Sequence, residues 1–402
     1  MEQIDITQNG RSISRIVIGD GLRLDGDLGR CLKPCGKLFV VADNQVVAKS
    51  SVVRGLLQDL QSDSVPVKTA QVSESLKTMD SVLEICSWLL DNGADREALV
   101  LAVGGGITTD MVGFAASIYK RGVRFAYIPT TLLSQVDAAI GGKTGVNFEQ
   151  YKNMLGVIRQ PEFTYLCPQV LESLPKRDFH SGAAEMLKTF IIEDNGNYQK
   201  AADLFFDMAG EYSLEVLLHA KDADKTWQGI LRKQRMALAE LIAAAARVKA
   251  GVVSRDQFER GERRKLNLGH TFAHAIETLA QKDGGERFCN SDDAAPTSHN
   301  QDSCAVTHGE AVAMGLVLAG RLADRYYRKD KNDPTELERK LSNDLWDSGI
   351  PCFCPYSLQE MAPAMMKDKK ADGGKVHFVL PKAIGEVETV ELTVDEVCRL
   401  ME

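Results

Sequence analysis

Short apolar runs separated by helical periods organise the first part of the chain. SRIVIG (14–19), KLFVVAD (37–43), PVKTAQV (66–72), EALVLAVGGG (97–106) and RFAYIPT (124–130) are strand-length and rich in β-branched residues. SVLEICSWLLDNG (81–93) has helical spacing and ends at a Gly, and a second helix is expected after the glycines at 104–106. Strand and helix in alternation predict a parallel sheet covered on both faces. After Pro175 the pattern turns helical: MLKTFIIE, LAELIAAAARVKAGVV (238–253), HTFAHAIETLA, GEAVAMGLVLAGRLADRYY (309–327) and TELERKLSNDLWDSG. Near the end VHFVLP and EVETVEL flank an Ile-Gly turn and predict a hairpin. The fold expected is α/β followed by α: a parallel-sheet domain over 1–174 and a mostly helical domain over 175–402, with a site in a cleft between domains as the default. Residues 283–306 lack periodicity and read as an exposed loop insertion. Its Cys289, His299 and Cys304 fit no zinc spacing.

Composition narrows the class. At 402 residues, 44% hydrophobic and 26% charged, the chain has the make-up of a globular protein with two cores. The start, MEQIDITQNG, has no basic-then-apolar leader, and a cytoplasmic location is expected. Nine cysteines without a framework spacing are expected as reduced thiols. A net charge of −8 argues against a broad nucleic-acid surface, yet leaves room for a small anionic ligand at a local basic cluster.

Five segments carry candidate chemistry. In LAVGGGITTD the glycines Gly104, Gly105 and Gly106 follow a strand and precede a helix, which suits close backbone approach to a phosphate. The spacing is not GxGxxG, and Asp110 could serve a cofactor or merely the helix. Between 129 and 157, Thr130, Thr131, Asp137, Lys143, Lys152 and Asn153 crowd around glycines, a composition suited to phosphate. KLNLGHTFAHAIE (265–277) sets His270 and His274 one turn apart, but without the Glu of HExxH. Glu185, in the apolar SGAAEMLK, wants a cation, either Lys188 or a metal. Together with His308 of HGEAV, and one or both of the paired histidines, it could hold zinc with an open position.

GGGxxxDxxGF, YxRG, PTTLLxQVD, GGKTxVN, KNMLG, SLPxR, SGxAEMLK, VKAxVVxxD, LNLGHTxxHAIE, HGEAV and DKK occur in order over nearly the whole chain. In these motifs the chain resembles the 3-dehydroquinate synthase family, which implies a Rossmann-like NAD domain over 1–174 and a helical metal- and substrate-binding domain over 175–402. The resemblance implies Zn2+ (or Co2+) held by Glu185, His270 and His308, with His274 contacting substrate instead. It implies Lys143, Lys188, Lys249, Arg263, Asn267 and His274 as catalytic, and Arg121, Asp137, Asn153 and Lys369 as substrate contacts, Arg121 lent by a neighbouring subunit of a homodimer. For NAD it implies Asp43, Glu74, Lys77, Gly104–Gly106, Asp110, Thr130, Thr131, Lys143, Lys152 and Ser173. The implied reaction converts 3-deoxy-D-arabino-heptulosonate 7-phosphate to 3-dehydroquinate and phosphate, with NAD recycled. Thr109, Ala273, Ser173 and the Gln257-Phe258 pair depart from the family pattern, Thr109 by tightening the cofactor turn. A sedoheptulose 7-phosphate cyclase and a metal-dependent polyol dehydrogenase are the alternatives. The substrate carboxylate separates the two cyclase readings, with Arg263 and Lys369 expected as its cationic fork.

Overall fold

The computed structural model describes residues 2–33, 37–149, 151–219, 222–288, 306–327, 336–367 and 375–402. The chain begins with β1 (Glu2–Gln8), β2 (Arg11–Ile18), α1 (Asp27–Leu32), β3 (Leu38–Asp43), α2 (Asn44–Lys49), α3 (Ser51–Ser62), β4 (Val67–Ala70) and α4 (Met79–Asp91). Next come β5 (Leu99–Gly104), α5 (Gly106–Ile118), β6 (Arg124–Pro129), β7 (Lys143–Phe148), β8 (Tyr151–Ile158) and β9 (Phe163–Leu166). Helices follow: α6 (Lys176–Ile192), α7 (Asn197–His219), α8 (Ala223–Lys233), α9 (Arg235–Arg255), α10 (His270–Lys282), α11 (His308–Tyr327), α12 (Glu336–Asp347) and α13 (Leu358–Lys367). The hairpin β10 (Lys375–Ala383) and β11 (Glu386–Thr393) and the helix α14 (Val394–Met401) complete it.

Packing divides the chain into two compact units, Met1–Gly182 with Glu215–Arg263, and Ala183–Leu214 with Arg264–Glu402. The first is built on a seven-stranded sheet of order β1-β2-β9-β6-β5-β3-β4. All pairings are parallel except the antiparallel β1–β2 edge. Its interior strand β5 is buried at every position, as an apolar run covered on both faces must be. A core of Val41, Val100, Ala102, Val112, Ala115 and Phe125 fills the space between sheet and α4–α5. All five strands expected from the apolar runs are present; β1, β9 and the separate β7–β8 hairpin were not anticipated. That hairpin occupies the segment whose glycines and lysines suggested a phosphate loop.

The boundary is not the single cut expected after residue 174. The Ala-rich α9 packs with the sheet unit, against β1, where Thr7 N donates to Ser254 Oγ at 2.9 Å. Its apolar residues alone could not show which partner they would meet. In the second unit α10, α12 and α14 pack around the almost wholly buried α11, with β10 laid against it and α13 packed on α10 and α14. Among the described residues no helix is long and apolar enough to cross a membrane, and Cys86, Cys167, Cys352, Cys354 and Cys398 are free thiols. Cys35, and residues 289–305 of the proposed insertion with Cys289, His299 and Cys304, lie outside the described residues.

Candidate metal centre and cofactor pocket

The second unit brings Glu185, His270 and His308 to one point, their ligand atoms within 4.8 Å of one another. Each comes from a different helix. Glu185 lies mid-α6, where its small and apolar neighbours leave it 0% exposed. His270 is the first residue of α10, reached through Gly269 at φ +76°. A Cβ at Gly269 would lie 3.0 Å from Leu316 N, and one at Gly315 would lie 2.3 Å from Gly269 O. The glycines therefore let α10 and α11 approach closely enough for the histidines to meet. His308 opens α11, set by a capping box: Thr307 Oγ1 accepts from Glu310 N, and Glu310 Oε2 accepts from Thr307 N.

The donor set fits a divalent cation. His270 Nε2 and His308 Nε2 lie 3.6 and 3.4 Å from Glu185 Oε1. Ligand atoms ~2.1 Å from a tetrahedral zinc would lie roughly 3.4 Å apart. Neither oxygen of Glu185 receives a well-directed hydrogen bond among the described residues, although Lys188 Nζ stands 2.5 Å from Oε2. Burial alone would raise the Glu185 carboxyl, but Lys188 and then the two histidines hold it well below the usual range. Burial and the Lys188 charge push His270 down to about 3, leaving it neutral near pH 7. Burial also pushes His308 down, but Glu185 and Glu277 outweigh it and raise the group to about 10. A cation entering the triad therefore displaces a proton there. His270 Nδ1 faces the Leu268 carbonyl at 3.1 Å, so both rings turn Nε2 inward. The His274 ring stands edge-on to His270 with centroids 5.6 Å apart, outside the triad. The four-residue spacing thus supplies one member of the triad and one neighbour, an outcome the spacing itself left open. Asn267 ends the short turn Glu262–Asn267 just before this helix.

In the first unit a pocket lies at the C-terminal ends of parallel strands, the usual place for a ligand on such a sheet. Six of the expected cofactor residues line it: Asp43, Gly105, Gly106, Thr130, Thr131 and Ser173. Gln45, Val46, Lys49, Val72, Ile107 and Asp178 line it as well and were not anticipated. Apart from Asp178, in the first turn of α6, they share only a position after the end of β3, β4 or β5. Asp43 also caps α2, accepting from Gln45 N at 2.9 Å, and burial raises its pKa. Thr109 points its hydroxyl back to Gly106 O at 2.9 Å and does not line the pocket. The hydroxyl is absorbed by the helix's own first turn.

Glu74, Lys77, Asp110 and Asn153 form a network of their own. Buried Lys77 donates to Asp110 Oδ2 at 2.6 Å and to Asn153 Oδ1 at 2.5 Å. Glu74 accepts from Asn147 Nδ2 at 2.8 Å, and Asn147 in turn accepts from Asn153 N. Burial, only partly offset by Lys77, pushes Asp110 up to about 6. Gly104, Lys143 and the exposed Lys152 do not line the pocket. Elsewhere in this unit Lys249 Nζ donates to Asp137 O at 2.7 Å and Oδ1 at 2.5 Å, while Lys143 pairs with Glu259. Arg263 is 2% exposed, its Nη1 on Gln257 O at 2.6 Å and its Nη2 on Gly141 O at 3.0 Å. Only Nε lacks a partner among the described residues, so the guanidinium is largely spent on backbone rather than presented as an open fork. Exposed Arg121 sits in a left-handed run, with φ 48°, 68° and 115° at Lys120, Arg121 and Gly122. Lys369 lies outside the described residues.

Family models described as 3-dehydroquinate synthase N-terminal and C-terminal match residues 67–181 and 182–286. The chain is 34% identical to the 3-dehydroquinate synthase of Idiomarina loihiensis over 97% of its own length and 96% of that protein's. Among solved structures it is similar to a Streptomyces hygroscopicus 2-epi-5-epi-valiolone synthase with NAD+ and Zn2+ bound, at 27% identity and TM-score 0.71, covering 96% and 95% of the two chains. A 2-deoxy-scyllo-inosose synthase complexed with carbaglucose-6-phosphate, NAD+ and Co2+ shares the fold at 21% identity and TM-score 0.73, covering 100% and 99%.

Proposed function

Because the chain belongs to the 3-dehydroquinate synthase family, we propose that it converts 3-deoxy-D-arabino-heptulosonate 7-phosphate to 3-dehydroquinate and inorganic phosphate. The single observation carrying this reading is the Glu185–His270–His308 triad, with Lys188 and His274 beside it, in a chain of that family. The reaction is a phosphate-eliminating lyase step. Transient oxidation at C5 makes the C6 proton acidic; its loss expels phosphate from C7. C5 is then reduced again, the ring opens, and C7 bonds to C2. No net oxidation occurs, so NAD ends as it began.

When bound, zinc or cobalt on Glu185, His270 and His308 would supply Lewis acidity, and NAD in the Asp43–Thr131 pocket a reversible two-electron acceptor. The remaining work belongs to side chains. Lys188 neutralises Glu185, which otherwise would be an uncompensated charge at 0% exposure. Lys249 holds Asp137 in one orientation, and Lys143, half-exposed beside Glu259, is the mobile cation for a phosphate oxygen. The substrate's own phosphate is the base for C6. Arg263, with Nε left over, orders the 256–263 loop against Gly141 and offers one donor to the substrate carboxylate. Asn267, Asn153 and His274 are further substrate contacts. NAD contacts extend to Glu74, Lys77, Asp110 and Lys152. A homodimer, in which Arg121 reaches the neighbour's substrate phosphate, and a cytoplasmic location complete the reading.

The test follows phosphate release from the heptulosonate phosphate with NAD well below the substrate concentration. Completion without standing NADH supports the proposal; turnover that stops once all the NAD has become NADH points to a polyol dehydrogenase. Equal kcat/KM on sedoheptulose 7-phosphate, which lacks the carboxylate, would leave only the superfamily assignment.

A further inference from the structure

We propose that Glu277 is a positioning residue of the metal centre, fixing the tautomer and direction of His308. The proposal rests on the reading of Glu185, His270 and His308 as ligands. Helix α10 carries His270, His274 and Glu277 at spacings of four and three, so one helical face presents all three. Glu277 Oε1 lies 3.2 Å from His308 Nδ1, and its side chain is only 11% exposed. A neutral imidazole has a single N–H. Facing a carboxylate, Nδ1 keeps that proton and donates it, which leaves the Nε2 lone pair directed toward Glu185, 3.4 Å away.

The two histidines are thereby oriented by different means. His270 leans on the Leu268 carbonyl, two residues upstream, and is set by its own backbone. His308 begins a different helix, and Glu277 ties that start across to α10. A carboxylate partner also makes imidazole a stronger donor than a carbonyl does. Loss of Glu277 would therefore strike metal affinity through His308 rather than the stability of α10.

Full-length Glu277→Gln, prepared metal-free, tests this by zinc affinity in chelator competition, by the visible spectrum of the cobalt form, and by apo melting temperature. The expected result is zinc binding weakened on the order of 10–100-fold, shifted cobalt bands, and little change in apo melting. Zinc affinity within twofold of wild type, with an unchanged cobalt spectrum, overturns the proposal. His308→Ala is the control: if it too leaves zinc affinity unchanged, the ligand reading itself has failed. Should Glu277→Gln not fold, 15N-histidine spectra of zinc-loaded wild type decide the matter. His308, identified among the seven histidines by substitution, should carry its proton on Nδ1. A proton on Nε2 overturns the proposal.

Discussion

The metal triad and the cofactor pocket solve the problem of holding a ligand in different ways. The triad takes one side-chain atom from each of three helices and aims them at a point. The pocket relies on Gly105, Gly106 and short hydroxyl residues where strands β3, β5 and β6 end. Every triad atom is a large fraction of the interaction, so a substitution there removes function outright. The pocket spreads recognition over many weak backbone and hydroxyl contacts, and its losses should be graded.

The sharpest way to break that contrast is Glu185→Gln. We expect bound zinc and turnover both to disappear on this change, with a loss greater than the ~10–100-fold that accompanies removal of a ligand's supporting partner. Metal content by mass spectrometry alongside phosphate release would check it. Retained zinc would mean that the triad behaves like the pocket after all.

Lys188→Met should come next. It leaves Glu185 as a buried carboxylate without its ammonium, at a cost of about 3–5 kcal/mol. Denaturant unfolding in chelator should show this loss, and added zinc should recover part of it by supplying another cation. An unchanged midpoint in chelator would show that Lys188 does not compensate Glu185.

Asp110 sharpens the comparison from the first unit. Its folded pKa, about 6, lies above the usual carboxylate value because burial outweighs Lys77. Its contribution to stability is therefore fully present below about pH 4 and lost as pH rises through about 6. The change is on the order of 1–3 kcal/mol. Asp110→Asn should flatten the melting-temperature profile over that window, and an unaltered slope would count against it.

The smallest effect is a paired one. Gly105→Ala would set a Cβ 3.1 Å from Thr131 Cγ2 in the pocket. It should raise the KM for NAD by roughly tenfold, equivalent to about 1.4 kcal/mol, without altering zinc affinity. Gly269→Ala, at φ +76°, should do the reverse, costing about 1 kcal/mol of backbone strain and weakening zinc. Equal effects of both variants on both ligands would erase the distinction between the two regions.

Legibility followed the same division. The five apolar runs became strands because a β-branched stretch covered on both faces needs no information beyond its own composition. The edge strand β1, EQIDITQ, and the hairpin β7–β8 did not stand out, because half-exposed strands dilute the apolar signal with polar residues. Glu185 and His308 were readable as chemistry out of place in small and apolar surroundings. Glu277 was not, since a single acidic residue within a helix looks like any solvated position until another helix arrives beside it.

Residue order alone determined the α/β-then-helical plan, the family, and which residue types could hold a cation or approach a phosphate. These depend on local periodicity and on motifs whose parts are close in sequence. Helical spacing left open whether His270 or His274 completes the triad, and tertiary structure brings His270 there, as the family motifs implied; only tertiary structure decided that α9 belongs with the sheet and that Arg263 spends its terminal nitrogens on Gln257 and Gly141. Each of these depends on which distant backbone or side chain packs within about 3 Å of a polar atom, and helical spacing fixes only the face on which a residue waits.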